Sequence, residues 1–167
     1  MKLCQRRIIY AMAFDLPCKS RLVKTAKVTG QVMGTYHPHG DTSISDAIKP
    51  LCNWFETYIP LLWSESNMGS MQGDRAAAPR YTEVMLNRFT LDYVLKDVLE
   101  AHDVVDWVKN YSGDKDEPES LPVAVPLLLI NGTYGIGTGK AVSIPPHNTT
   151  EVIDATLRLL DDPNAPV

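Results

Sequence analysis

The sequence has only three cysteines, no long apolar run and a small net charge. The first two features each exclude a class of protein. The three cysteines, Cys4, Cys18 and Cys52, are odd in number and lack close paired spacing, which argues against a disulfide framework or a zinc knuckle. No apolar run approaches the roughly 18 residues of a membrane-spanning helix. A charged and apolar leader of the secretory type is missing as well. We therefore expect an intracellular protein in a reducing compartment, with no membrane partner.

The net charge of −4 is small and argues against a nucleic-acid partner, but its distribution does not. Residues 1–50 hold eight Lys and Arg against three acids, a net of +5, so the remainder of the chain carries −9. Such asymmetry is expected when one face of a protein meets phosphate and the others do not. A solvated basic helix face is the alternative that charge alone leaves open.

The 167 residues, 44% of them hydrophobic, suffice for one domain, or for one domain and a piece of another. Apolar periodicity predicts helices over residues 5–14 and 20–36. A third helix is predicted from about Ser43, capped by Asp41 or Thr42 and kinked or ended by Pro50. Two helices joined by a tight turn are typical of a helix-turn-helix, whose second helix enters the DNA major groove.

The rest of the chain predicts a wing and then a second unit. Residues 60–85 favour short strands and loops, residues 81–107 favour helix, and residues 110–121 form a polar, acidic loop that marks a boundary. Beyond it, 123–130 is predicted to be a buried strand. Asn148, with Glu151 three residues later, predicts the start of an amphipathic helix. This second unit has too few elements to bury a core of its own, so we expect it to be the beginning of something larger.

Arg80 and Tyr81, in the segment GDRAAAPRYTE of residues 73–83, are the first candidate catalytic pair. A tyrosine hydroxyl with a reference pKa of about 10 is a weak nucleophile at neutral pH. An adjacent guanidinium, always charged and shaped to bind phosphate oxygens, is the help that phosphoryl transfer needs. The pair suggests a tyrosine that attacks a phosphodiester, but the dipeptide alone is a weak signal and is far more typical of an ordinary surface or core pair.

The turn YHPHGD at residues 36–41 allows three interpretations. His37, His39 and Asp41 have the H-x-H-x-D spacing of some metallohydrolases, and these ligands suit zinc or iron. The turn is also consistent with a purely structural role. Contact with phosphate or DNA is the third interpretation, because a helix start offers free backbone N–H groups to a phosphate.

The glycine-rich segment at residues 132–140 fits neither nucleotide-binding template. A phosphate-binding loop that ends at Lys140 needs glycine at Tyr134 and a hydroxyl at Ala141, and a dinucleotide fingerprint needs glycine at Lys140. The glycines do permit close approach of the backbone to a partner. Ile136 between them resembles the apolar wedges that unstack DNA base steps, although the sequence alone favours a core position for Ile136.

Four segments, QRRIIYAM, YHPHGDTSISDAI, NMGSMQGDRAAAPRYTEV and LLLINGTYGIGTG with IPPHNTTEVI, occur in the order and spacing of one family. The chain resembles the breakage and reunion subunits of type IIA DNA topoisomerases, namely gyrase A, its topoisomerase IV counterpart and the related phage subunit. The resemblance implies an α+β fold. It would comprise a winged-helix DNA-cleavage domain at 1–113, without its N-terminal arm, and the start of an α/β tower domain at 114–167.

The resemblance also implies catalytic roles. Tyr81 matches the tyrosine that attacks a DNA phosphodiester and becomes linked to the 5′ phosphate while a 3′ hydroxyl is released. Arg80 matches the neighbouring arginine that stabilises the transition state. His37 and His39 match the histidines near the scissile phosphate, and His39 is included in the catalytic set.

Further positions are implied to contact DNA or drugs. The DNA-binding positions fall on Lys2, Arg6, Arg7, His37, His39, Thr42 and Ile136. Ile136 matches an isoleucine that is inserted between base pairs to bend the DNA. Thr42 and Asp46 fall where bacterial members of the family interact with quinolones.

The resemblance implies a larger assembly on double-stranded DNA. The resemblance implies that Mg²⁺ is held by a partner's metal-binding fold and that ATP is used by the partner ATPase subunit, and the sequence itself shows no clustered acidic metal site. The chain is expected to form a homodimer within a heterotetramer, in the cytoplasm of a bacterial or phage-infected cell, and to be a fragment that is inactive alone. The alternatives are a non-catalytic winged-helix DNA-binding module and a metal-dependent hydrolase built on His37, His39 and Asp41.

Overall fold

The computed structural model describes residues 1–166, with the exception of the side chain of His102. Helix α1 (Leu3–Phe14) begins after Lys2, whose backbone N–H donates to Gln5 Oε1 at 3.0 Å. Its Ile8, Ile9 and Met12 are fully buried, as the sequence pattern predicts. This helix lies at the centre of the hydrophobic core, in contact with the next two helices.

Helix α2 (Thr25–Thr35) is shorter than the predicted 20–36, because the residues before it form strand β1 (Val23–Lys24). Helix α3 (Asp41–Cys52) follows a tight turn and begins two residues before the predicted start at Ser43. Its N-cap is Gly40 rather than Asp41 or Thr42. Pro50 lies inside α3, which ends soon after it, at Cys52.

A small antiparallel sheet packs against these helices. Strands β2 (Leu62–Trp63) and β1 flank the central strand β3 (Glu83–Leu86), in the order β1-β3-β2. Val84 and Leu86 alternate with half-buried neighbours and enter the core. The prediction of a helix beginning at Tyr81 is therefore wrong, because the alternation at Val84 and Leu86 is that of a half-buried strand.

Short turns of helix and a hairpin follow β3. One π-helical turn spans Thr90–Val94, helix α4 spans Lys96–Glu100, and a 3₁₀ turn spans His102–Val104. Strands β4 (Trp107–Lys109) and β5 (Asp116–Pro118) then pair as an antiparallel hairpin. The predicted acidic loop thus contains a strand, and the predicted domain boundary at residue 113 falls in the hairpin turn.

The last segment contains α5 (Leu127–Asn131), strands β6 (Thr133–Gly137) and β7 (Lys140–Ile144), and helix α6 (Thr149–Asp161). The strand predicted at 123–130 is wrong. Pro126 caps α5 instead, because proline cannot donate a ladder hydrogen bond but is well suited to a helix start. The start of α6 is confirmed, since Asn148 Oδ1 accepts from the N–H groups of Thr150 and Glu151.

The predicted glycine loop is a β-hairpin. Gly139 has φ +72° in its two-residue turn, a conformation that favours glycine. Gly132 has φ +65°, and a Cβ there would clash with the carbonyl oxygen of Ile144. Helices and strands are mixed along the chain, so the α+β class is confirmed. Within residues 1–166, no helix is long and apolar enough to cross a membrane.

Candidate functional site

Arg80 and Tyr81 lie in a turn that is attached to the amino end of α2. The N–H of Thr25 donates to the carbonyl oxygen of Thr82 at 2.9 Å, and the N–H of Ala26 donates to that of Pro79 at 3.0 Å. These bonds satisfy N–H groups that a helix start otherwise leaves without partners. The backbone on both sides of the pair is therefore fixed by one helix.

A buried pair of hydroxyls strengthens this attachment. Thr82 Oγ1 donates to Thr25 Oγ1 at 2.8 Å, and both residues are almost fully buried. The N–H of Tyr81 also donates to the carbonyl oxygen of Ala78 at 2.8 Å, which closes the turn. The main chain of the candidate nucleophile is thus well ordered by local and non-local bonds.

The side chains of the pair are exposed and contact each other. Tyr81 is 64% exposed, and the guanidinium carbon of Arg80 lies 4.6 Å from the centre of its ring. Within the described chain, Arg80 makes no ion pair or hydrogen bond. A nucleophile that must reach a phosphodiester needs this exposure, and the guanidinium beside it remains available for phosphate oxygens.

His37 and His39 form a stacked pair after the other end of α2. Their ring centres are 4.1 Å apart and their planes differ by 16°. His37 Nδ1 is 3.1 Å from Arg7 Nη1. Burial, with the neighbouring His39 and Arg7, lowers the pKa of His37, while Glu117 opposes the shift. The neutral imidazole is therefore favoured at His37.

Arg7 is held by Glu117, a residue that the sequence did not single out. Arg7 Nε and Nη2 donate to the two carboxylate oxygens at 2.9 and 2.5 Å. The side chains are only 17% and 6% exposed. The predicted DNA contact of Arg7 stays a prediction, but its guanidinium already has a buried partner. No local signal in the sequence marks Glu117, because it lies within a polar, acidic run, DKDEPES at residues 114–120.

The other predicted DNA-binding cations differ in their surroundings. Lys2 is exposed, whereas the guanidinium of Arg6 donates to the carbonyl oxygen of Glu119. Thr42 and Asp46 are exposed on α3, and Asp46 pairs with Lys49 at 2.6 Å. Lys2, Thr42 and Asp46 are thus accessible to a ligand, while Arg6 is tied to the segment after β5.

Ile136 is not a core residue. It is 78% exposed on β6, so the expectation that the sequence alone favours is wrong. Its neighbours Gly135 and Gly137 leave it without flanking side chains on the strand. An exposed isoleucine is accessible to a partner, and the role of Ile136 as an apolar wedge stays a prediction.

The predicted catalytic residues do not all come together within one chain. Tyr81 lies at the amino end of α2, while His37 and His39 follow its carboxyl end. Helix α2 has 11 residues and is therefore about 16 Å long at 1.5 Å per residue. The two groups therefore lie at opposite ends of this helix.

The described residues do not fit a magnesium site. Among the side chains that the structure describes, which do not include that of His102, no group of three or more His, Cys, Asp or Glu is arranged to hold a metal ion. Mg²⁺ prefers carboxylate and water oxygens in octahedral geometry, and the histidine pair faces itself and Arg7 instead. No chemical step is therefore assigned to a metal held by these residues.

Comparison with known proteins decides the family. The family model for the A subunits of DNA gyrase and topoisomerase IV matches residues 1–167. This chain belongs to the family of gyrase and topoisomerase IV A subunits. It is 46% identical to the A subunit of DNA gyrase from Campylobacter jejuni, over 99% of the chain and 19% of that relative.

Other family members give the same picture. Identity is 46% to the corresponding gyrase subunit of Granulibacter bethesdensis, over 98% of this chain and 17% of the relative. It is 42% to that of Helicobacter pylori, over 99% and 20%. The chain thus spans about a fifth of the length of the curated relatives that it matches.

Proposed function

We propose that this chain is part of the DNA-cleaving subunit of a type IIA topoisomerase, which breaks and rejoins both strands of DNA through a 5′-phosphotyrosyl intermediate. The observation that carries the proposal is the exposed Tyr81 beside the unpaired Arg80, on a backbone fixed to α2. Membership of the gyrase A family supports it.

In the proposed reaction the hydroxyl oxygen of Tyr81 attacks a backbone phosphorus. An O–P bond to the tyrosine forms and the bond from phosphorus to the 3′ oxygen breaks. The phenolic proton is lost to water, and the 3′ oxygen takes a proton from water and leaves as a hydroxyl. One phosphodiester replaces another, so the bond energy is conserved. Attack of the 3′ hydroxyl on the phosphotyrosyl bond therefore reseals the DNA without a further energy source. The guanidinium of Arg80 stabilises the charge that develops on the phosphate oxygens.

The fold proposed for this role is a winged helix over residues 1–113, followed by the beginning of a tower at 114–167. The tight turn between α2 and α3, and the small sheet of β1, β3 and β2, support the first part. Exposed Thr42 at the start of α3 would then face the DNA, with Asp46 in the drug-site position. Ile136 on its narrow hairpin would bend the DNA as a wedge.

The separation along α2 supports action as a pair of chains. Because Tyr81 and the His37–His39 pair lie at opposite ends of this helix, one phosphate cannot readily contact both groups of one chain. We infer that the histidines of one copy serve the tyrosine of the other in a homodimer. Two such half-sites would cut the two strands of the duplex.

The remaining requirements are assigned to a partner subunit. Mg²⁺ would supply charge stabilisation from a metal-binding fold of that partner, and the partner's ATPase domain would use ATP. The full enzyme would be a heterotetramer in the cytoplasm, and this chain alone would be inactive. These assignments rest on the family, since the described residues do not fit Mg²⁺.

Trapping of covalent protein–DNA complexes tests the proposal. Residues 1–167 replace the matched segment in the A subunit of Campylobacter jejuni DNA gyrase, and the chimera is mixed with its ATPase partner, magnesium and supercoiled DNA, then denatured with detergent. We expect protein attached to the 5′ DNA ends, and none with Tyr81→Phe. Tyr134→Phe is the matched control, because Tyr134 is a comparably exposed tyrosine on β6.

Other outcomes would support the alternatives. Attachment that persists in Tyr81→Phe overturns the assigned nucleophile. DNA binding without attachment favours a non-catalytic winged-helix module. Metal-dependent hydrolysis that is lost in His39→Ala and retained in Tyr81→Phe favours the hydrolase built on His37, His39 and Asp41.

A further inference from the structure

Glu117 is a buried carboxylate that has no role in the reaction proposed above. It lies on β5, and its side chain is 6% exposed. Burying a carboxylate is costly unless it is paired and hydrogen-bonded. Both of its oxygens are bound by Arg7, 110 positions away in the sequence.

The pairing fixes the direction of the third contact of Arg7. A guanidinium bound at two nitrogens to one carboxylate cannot rotate freely, because the two bonds set its plane. Its remaining nitrogen, Nη1, is then directed at His37 Nδ1, at 3.1 Å. Glu117 thus acts on His37 through Arg7.

This contact selects one form of His37. Arginine only donates hydrogen bonds, so His37 Nδ1 must accept. The neutral ring therefore carries its proton on Nε2, where it is a donor. The lowered pKa of His37 has the same direction, because a proton on Nδ1 would face an N–H group of Arg7. The stack on His39 holds the plane of the ring.

We propose that Glu117 is a positioning residue for DNA cleavage, which locks Arg7 so that His37 is held, stacked on His39, with its Nε2–H directed toward the phosphodiester. The proposal rests on the proposed function, in which these histidines lie near the scissile phosphate. It adds a residue from the β4–β5 hairpin to the site. An N–H donor that is fixed in advance stabilises charge on a phosphate oxygen without reorganisation.

The first test measures the histidine itself and needs no activity. In the 167-residue chain, ¹H–¹⁵N spectra of the imidazoles distinguish the Nε2–H form from the Nδ1–H form. We expect a single Nε2–H form of His37 in the wild type and loss of that single form in Glu117→Gln, which keeps the volume and removes the charge. Glu119→Gln is the matched control, since the hydrogen bonds recorded for Glu119 are made by its backbone: its carbonyl oxygen accepts from Arg6 and its N–H donates to the carbonyl oxygen of Asp106.

The second test measures cleavage in the chimera described above. A misdirected catalytic group costs on the order of 100-fold in rate, so Glu117→Gln should lower the rate of covalent attachment by about that factor, and the Kd for DNA should change by less than about threefold because the lost group acts on orientation. Glu119→Gln should match the wild type. If Glu117→Gln fails to fold, Glu117→Asp keeps the charge, and we expect it to retain the Nε2–H form with a smaller rate loss.

The outcomes separate this inference from the proposed function. An unchanged His37 form in Glu117→Gln overturns the inference, as does a lower rate without a change of form. A changed form with a wild-type rate also overturns it, because the orientation would then have no use in cleavage. Failure of the proposed function is recognised separately, since the wild type and Tyr81→Phe would then be indistinguishable in attachment; the positioning role fails with it.

Discussion

The two ends of α2 hold their functional side chains in opposite ways. At the amino end, the backbone around Arg80 and Tyr81 is hydrogen-bonded to the helix, while both side chains are exposed. At the carboxyl end, the side chains themselves are held, since His37 contacts Arg7 and Arg7 is bound by buried Glu117. One end fixes the main chain and the other end fixes the chemical groups.

This difference matches what each group has to do in the proposed reaction. A nucleophile moves toward phosphorus and later leaves it, so its side chain needs freedom while its base stays fixed. Groups that stabilise charge work best when they are oriented before the substrate arrives. At the carboxyl end this orientation requires the buried ion pair of Arg7 and Glu117. The amino end has no such requirement.

The largest expected difference is in stability. Arg7→Ala leaves Glu117 buried and without its partner, which should reduce the free energy of unfolding by roughly 3–5 kcal/mol. Arg80→Ala, at an exposed position, should change it by less than about 0.5 kcal/mol. Urea unfolding of both variants measures the contrast. If Arg7→Ala reduces the free energy of unfolding by less than about 1 kcal/mol, the Arg7–Glu117 pair is as weak as a solvent-exposed ion pair. The contrast between the two ends of α2 would then be wrong.

The next largest effect is on the rate of covalent attachment to DNA, and we expect it at the amino end of α2. Removing one preorganised donor typically costs about 100- to 1,000-fold in rate, and we expect this loss of covalent attachment in Arg80→Ala, with DNA binding retained. Arg88→Ala is the matched control, because Arg88 is exposed and pairs only with Asp92. A wild-type rate in Arg80→Ala would remove Arg80 from the transition state.

Local signals in the sequence predicted much of the helical framework. The apolar stripe of α1 and the cap of α6 at Asn148 depend on residues within a few positions of one another. The sequence also singled out Arg80 and Tyr81, since their resemblance to a family motif lies within one short segment, and their catalytic role stays a prediction. Such features need no knowledge of distant parts of the chain.

What the sequence did not predict depends on distant pairing. Strand β1 contains two residues and exists because Val23 and Lys24 meet Val84 and Glu83. Glu117 belongs to the site only because β5 returns to α1, and its neighbourhood is typical of a solvated acidic loop. Ile136 was expected in the core because no local pattern separates an exposed apolar residue from a buried one. The carboxyl end of α2 was therefore harder to predict than the amino end.

The smallest expected effect tests whether backbone bonds alone hold the amino end. Thr82→Val keeps the shape of the side chain but removes the buried hydrogen bond to Thr25 Oγ1. Loss of one such bond typically reduces stability by about 1 kcal/mol, which urea unfolding measures. Because the bonds from Thr25 N–H to Thr82 and from Ala26 N–H to Pro79 remain, the attachment rate should fall by less than about threefold, equivalent to under about 0.7 kcal/mol. A loss as large as that expected for Arg80→Ala would mean that the hydroxyl pair sets the position of Tyr81, and that this end too depends on its side chains.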